Sequence, residues 1–262
     1  METLNALTQY YGTYDEDKRL CSRHGSVEFR TTLRYVEKYL RPGMRVLEIG
    51  AATGRYSHTL ARQGYRVDAV ELVQHNIDIF KANTQPGENV TVYQGNAKKL
   101  DMLSDDTYDV TLLLGPMYHL FTVPEQLEAL SEAIRVTKKG GLIFAAYCGN
   151  DATMVQYCFG RGMIKEQKYR DLIDPVTFKA SSDPAELFQL YRKEDIDALM
   201  EAFSVTRLHY VGTDMATNYM RQTIDQMDEE LFDLYLQYHF AICERSDLVG
   251  ASHHILDIFR KD

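Results

Sequence analysis

Two acids and a run of small residues carry the chemistry that this chain can be expected to do. The stretch Val46-Leu47-Glu48-Ile49-Gly50-Ala51-Ala52-Thr53-Gly54-Arg55-Tyr56-Ser57 passes from an apolar strand, through an acid, into a small-residue turn and then a helical pattern. A second apolar stretch, Val67-Asp68-Ala69-Val70, ends in Glu71. A glycine turn lets a ligand approach the backbone, and a carboxylate closing the next strand suits the two hydroxyls of a ribose. The pattern is that of a nucleoside-binding half-fold. It departs from the dinucleotide fingerprint, because Ala52 and Arg55 stand where the second and third glycines belong, and Arg55 is too large for close helix–strand packing. No Gly-Lys-Ser or Gly-Lys-Thr is present to cradle a triphosphate. Glu48, just before the turn, disfavours a diphosphate and suits a ligand bearing ammonium and sulfonium charge.

Further motifs follow in order. Gly95-Asn96-Ala97 comes after the third apolar stretch, and Tyr108-Asp109-Val110-Thr111-Leu112-Leu113-Leu114 runs into Gly115-Pro116-Met117-Tyr118-His119-Leu120. Together with Glu48–Gly54 and Glu71, these resemble the class I S-adenosylmethionine-dependent methyltransferases, with Ala52 in place of the usual middle glycine and Asn96 in place of the usual aspartate. An amide oxygen at Asn96 still accepts from an adenine amino group. The Gly115–Leu120 stretch looks like the G-P-x-Y-H-L motif of one bacterial branch that acts on small molecules, and Val27-Glu28-Phe29-Arg30-Thr31-Thr32 is similar to the same branch. The resemblance extends over residues 14–150.

The resemblance implies S-adenosylmethionine as cofactor, held by Glu48, Gly50, Ala51, Ala52, Thr53, Gly54, Glu71, Leu72, Asn96, Ala97, Leu114 and Gly115. Tyr14 and Arg30, from the N-terminal segment, are expected to meet the cofactor carboxylate or the acceptor. Tyr118 and His119 fall where related enzymes contact methyl donor or acceptor. Methyl transfer from a sulfonium is an in-line displacement in which alignment and exclusion of water matter most. An acceptor bearing a proton also needs a base, and His119 is the candidate because imidazole titrates near neutrality. The alternative is a histidine that only positions its loop. Glu48 either orders the turn through backbone N–H groups or helps hold the cofactor ammonium group.

Composition narrows the acceptor. The chain has 262 residues, an apolar fraction of 45%, a net charge of −9 and a pI near 5.4. No Lys/Arg run exceeds two residues, which disfavours RNA or DNA as acceptor and favours a small molecule methylated at N, O or S. The four cysteines lack C-x-x-C spacing and read as reduced thiols. No run of eighteen apolar residues and no basic-then-apolar start are present, so a cytoplasmic protein without a membrane span is expected. No metal is expected: adjacent His253 and His254 point to opposite faces of a strand, and no acidic cluster flanks Gly115.

The elements that must position these residues alternate strand and helix. Strands are predicted over 44–49, 66–71, 90–93, 107–114, 142–147, 205–211 and 252–260, with helices between them. The expected fold is α/β, a doubly wound, mostly parallel, seven-stranded Rossmann-like sheet with helical lid insertions. The family resemblance implies that the last strand enters antiparallel between the fifth and sixth. One methyltransferase domain is expected: a helical cover over 1–42, a cofactor-binding core over 43–148, a lid over 149–192 that shapes the acceptor pocket, and a helical insertion over 213–251. In that insertion Met220, Ile224, Met227, Leu231, Leu234 and Tyr238 follow helical spacing as one apolar stripe. It is expected to dock on its own domain or to form a dimer seam, so the chain is a monomer or homodimer.

Overall fold

Strands that are apolar at nearly every position require a sheet covered on both faces. The computed structural model, which describes residues 2–11, 21–182 and 188–262, has that arrangement. Helices α1 (Glu2–Tyr11) and α2 (Arg23–Tyr39) precede β1 (Arg45–Ile49), α3 (Arg55–Arg62), β2 (Arg66–Glu71), α4 (Gln74–Asn83), β3 (Val90–Gln94) and β4 (Tyr108–Leu113). Then come α5 (Val123–Val136) and the long β5 (Thr137–Gly149). Short helical turns between Asn150 and Arg170 lead to β6 (Leu190–Tyr191), α6 (Lys193–Met200), β7 (Val205–Gly212), α7 (Arg221–Asp225), α8 (Glu229–Ile242) and β8 (His254–Lys261).

The sheet order is β3-β2-β1-β4-β5-β8-β7. Strands β1 to β5 pair in parallel, and β8 runs antiparallel to both β5 and β7. The seven expected strands are all present. An eighth, β6, was not expected: β5 outruns β4, and its last two residues pair in parallel with Leu190–Tyr191. Two apolar residues in a polar connection give no periodicity from which such a strand can be read.

Neighbouring strand residues serve opposite cores. Leu47, Leu113 and Ile143 pack with Ala129, Leu130 and Ala133 of α5 and Ile196 of α6. Val46, Leu112 and Phe144 pack with Leu33 and Val36 of α2 and Leu60 of α3. Among the described residues no helix is long and apolar enough to cross a membrane. Cys21, Cys148, Cys158 and Cys243 are free thiols.

The helical insertion corrects the expected stripe. It is two helices: α7 ends at Asp225, and Asp228 begins a new one by accepting from the Leu231 N–H at 2.9 Å. The restart changes the helical phase. Ile224, Phe232 and Leu236 pack on Val27 of α2, while Leu231, Leu234 and Tyr238 are exposed.

Candidate active site

The turns after β1, β2, β3 and β4 line one cavity of about 370 Å³. It sits where the strand order reverses, between β1 and β4, which is the general ligand site of open parallel sheets. Glu48, Gly50, Ala51, Ala52, Thr53, Glu71, Leu72, Asn96, Ala97, Leu114, Gly115, Tyr118 and His119 all line it.

Glu71 closes β2 and is 6% exposed. Its carboxylate accepts from the N–H groups of Ala52 and Val73, both at 2.8 Å, and from Asn76 Nδ2 at 3.3 Å. Burial raises its pKa against the pull of those donors. Ala52 is held at φ 47°, a left-handed conformation that glycine adopts without cost. The bond to Glu71 fixes it there, so the acid of the second strand also shapes the turn after the first. Glu48 is fully enclosed and accepts from the Ser57 N–H at 2.9 Å and from the Ser57 hydroxyl, at the first turn of α3. Burial pushes its pKa up to about 8, against the Ser57 bonds and with help from the nearby Glu71. Of the two roles open to Glu48, tethering the turn is the one seen here.

Three expected site residues need correction or comment. Gly54 does not line the cavity. It caps α3 at φ 89°, and a Cβ there would come within 2.4 Å of the Phe80 ring, so packing rather than ligand contact demands glycine. Arg30 is exposed on α2 with its guanidinium over the Phe232 ring, outside the cavity. Two residues along a helix is about 200° of rotation, so Arg30 turns away where Glu28 and Thr32 face in. Tyr14 lies outside the described residues.

Arg55 lines the cavity instead. Its guanidinium stacks 4.6 Å over Phe29 and donates to Cys21 Sγ, its Nε is buried without a partner, and no described acid pairs with it. In the sequence Arg55 stands out only as a residue that breaks the dinucleotide pattern.

A second cavity, of about 770 Å³, adjoins the first. Tyr10, Tyr118, Tyr157, Tyr169 and Phe188 give it aromatic walls, and Asp214, Asn218, Arg221 and His253 give it a polar end. Within the segment 149–192, Tyr157, Tyr169 and Phe188 face this cavity, Met154 is buried outside its lining, and Phe159 and Phe178 are exposed. Tyr11, Glu28, Tyr118 and His254 line both cavities and so form the throat between them. His119 lines only the smaller cavity, where its Nε2 lies 2.8 Å from the Tyr11 hydroxyl.

Sequence reasoning missed the cluster at this throat. Asp214, just past β7, is 3% exposed. Its Oδ1 accepts from Ser252 Oγ at 2.7 Å and from the N–H groups of His253 and His254 at 2.9 and 3.1 Å. Its Oδ2 accepts from Asn218 Nδ2 and from His254 Nδ1, the latter at 2.7 Å. Glu28 Oε2 lies 3.3 Å from the same His254 nitrogen. Burial alone would raise the Asp214 pKa, but His254, His253 and Ser252 hold it far below the usual carboxylate range. Glu28, Asp214 and His254 are close enough to share a cation. The oxygens of Asp214, however, are already taken by five donors, which makes it an anchor for His254 rather than a metal ligand. His253 turns the other way, edge-on to Tyr157, and burial lowers its pKa to about 4. An acid after one strand and a histidine opening another, 40 residues apart, carry no local signal.

Comparison with known proteins agrees with this architecture. Residues 46–141 match the model of a methyltransferase domain. The chain is 23% identical over 192 residues to the ubiquinone biosynthesis O-methyltransferase of Vibrio cholerae, covering 69% of this chain and 74% of that protein. It is 30% identical over 108 residues to the demethylmenaquinone methyltransferase of Lysinibacillus sphaericus, covering 40% and 44% of the two chains. Among solved structures, a methyltransferase from Thermotoga maritima, described as a possible histamine N-methyltransferase, superposes with a TM-score of 0.59 at 17% identity, over 98% of this chain and 99% of the other. That likeness shows the fold. A methyltransferase domain matched in sequence, on a sheet of this order with a ligand cavity at its switch point, makes the chain an S-adenosylmethionine-dependent methyltransferase built on the class I fold.

Proposed function

We propose that the chain methylates N, O or S of a small molecule bound in the larger cavity, with the adenosyl cofactor in the smaller one. The observation that carries this reading is the shared throat: two cavities of different character meet at Tyr11, Glu28, Tyr118 and His254. The cofactor supplies an electrophilic methyl group. Glu71, an acceptor-only carboxylate that lines the cavity at the end of β2, suits a ribose diol. The Gly50–Thr53 backbone, Leu72 and Gly115 form walls that suit an adenosyl group, and Asn96-Ala97 suits the adenine edge. Arg55, unpaired by any described acid, replaces Arg30 as the partner for the amino-acid carboxylate. The 2.8 Å contact between His119 and Tyr11 supports a role for His119 in holding α1 over the cavity. Aromatic walls, acidic net charge and an interior site support a small acceptor over a nucleic acid.

The test is transfer of a deuterated methyl group in cell extract. Labelled cofactor and enzyme are incubated with extract, and small-molecule, RNA and protein fractions are read by mass spectrometry. Label in small metabolites is expected. Label confined to RNA or protein overturns the reading. Glu71→Gln is expected to abolish the thermal shift of several degrees that saturating cofactor gives the parent protein.

A further inference from the structure

Four side chains line the throat, and one of them is built to move a proton. His254 opens β8, is tethered through Nδ1 to the buried Asp214, and has Glu28 on the same side. With Nδ1 donating to Asp214, the neutral imidazole carries its lone pair on Nε2. The other imidazole and cationic groups of the same cavity are His253, neutral at physiological pH, His24, held by Asp225 at 2.7 Å, and Arg221, which donates to Asn218 and Tyr157. Asp214 and Glu28 are the acids facing His254.

A base held this way matters only for an acceptor whose nucleophile is masked by a proton. A neutral amine attacks with its own lone pair and loses its proton afterwards. A hydroxyl must lose its proton as it attacks. The walls of the cavity are flat rings, with Tyr118 and Phe188 centroids 5.9 Å apart at an interplanar angle of 33° and Tyr10 edge-on to Phe188. Such walls suit contact with an aromatic body.

We infer that His254, oriented by Asp214 and backed by Glu28, is the general base of the reaction, and that its acceptor is a phenol. This deepens the proposed function and rests on it. His254 Nε2 takes the phenolic proton as the oxygen attacks the methyl carbon. The carbon–sulfur bond breaks with its electron pair staying on sulfur. The products are an aryl methyl ether, neutral S-adenosylhomocysteine and an imidazolium flanked by two carboxylates, which later releases the proton to water. Among sequence-readable candidates His119 was the obvious histidine, but it lies outside the acceptor cavity.

The experiment has three arms on the full chain. Cofactor binding is first read by thermal shift; if S-adenosylmethionine does not bind, the parent reading fails and this one with it. Turnover, as S-adenosylhomocysteine released, is then measured on a series of ring-substituted phenols of graded acidity, with parent, His254→Gln and Glu28→Gln proteins. The expected result is a fall in kcat of about 10²–10⁴-fold for His254→Gln on weakly acidic phenols, shrinking as the phenol becomes more acidic, with the cofactor shift unchanged. Glu28→Gln is expected to move the pH profile of kcat with a smaller loss. A purely structural role would slow every phenol equally. Third, nitrogen-15 NMR of the labelled histidines, assigned by His254→Gln, reports the tautomer without any turnover; Nδ1–H is expected. Cofactor binding without turnover of any phenol, a uniform or absent loss in His254→Gln, or an Nε2–H tautomer each overturns the inference.

Discussion

Glu48 makes folding take up a proton. In the unfolded chain it titrates near its ordinary value of 4.5, and in the fold near 8, so its protonated form is the one that the structure favours. Its contribution to stability is full below about 4.5 and is lost as pH rises through about 8, and Glu71 acts in the same sense. Urea unfolding of the cofactor-free protein at pH 7, 7.5 and 8, above the range in which the buried imidazoles of His239 and His253 titrate, is expected to show stability falling with pH. Glu48→Gln, which keeps an acceptor for Ser57 but has no proton to lose, should flatten that slope without abolishing it. At Gly54 the left-handed backbone and the Phe80 ring act together, so Gly54→Ala is expected to cost about 2–4 kcal/mol in the same assay. Residues whose role is set by their own strand were legible in the sequence. Glu48, Glu71 and the small-residue turn fall at predictable strand ends, and all three line the cavity or tether it. Arg30 and Gly54 were misplaced because helical phase and distant packing decide them. Asp214 and His254 became partners only through tertiary structure.

At the level of elements, β8 shows how a late strand is secured in the sheet. Asp257, fully buried in the middle of β8, receives a two-pronged contact from Arg207 of β7 at 2.7 and 2.8 Å, and Arg207 also reaches Asp197 of α6. Removing one member of such a pair leaves a buried carboxyl unmatched. Arg207→Ala is therefore expected to destabilise by about 3–5 kcal/mol, read as a lower urea midpoint. Strong periodicity made the helices and strands of residues 23–149 legible. The insertion after β7 was read as one helix because its apolar spacing continues through Met227; the cap at Asp228 resets the phase, and capping residues look like any other polar residue from sequence alone.

The whole molecule divides its labour along the sequence. The matched domain over residues 46–141 supplies most of the smaller cavity, whereas three of the four throat residues, Tyr11, Glu28 and His254, lie outside it. The fold class was readable because alternating strands and helices allow few topologies. The larger cavity was not, since it is assembled from α1, α2, the connection after β5 and the start of β8.

The strand order has a consequence for biosynthesis. Until residues 254–261 are made, β5 and β7 each present a bare edge awaiting the same partner. Two unsatisfied strand edges on a nascent chain invite pairing with other chains. A truncation after Ala251 is accordingly expected to aggregate, seen as light scattering at concentrations where the longer chain stays clear. Insertion of 254–261 seals both edges at once, and the same stroke brings His254 to Asp214, so the throat between the cavities is completed together with protection from aggregation.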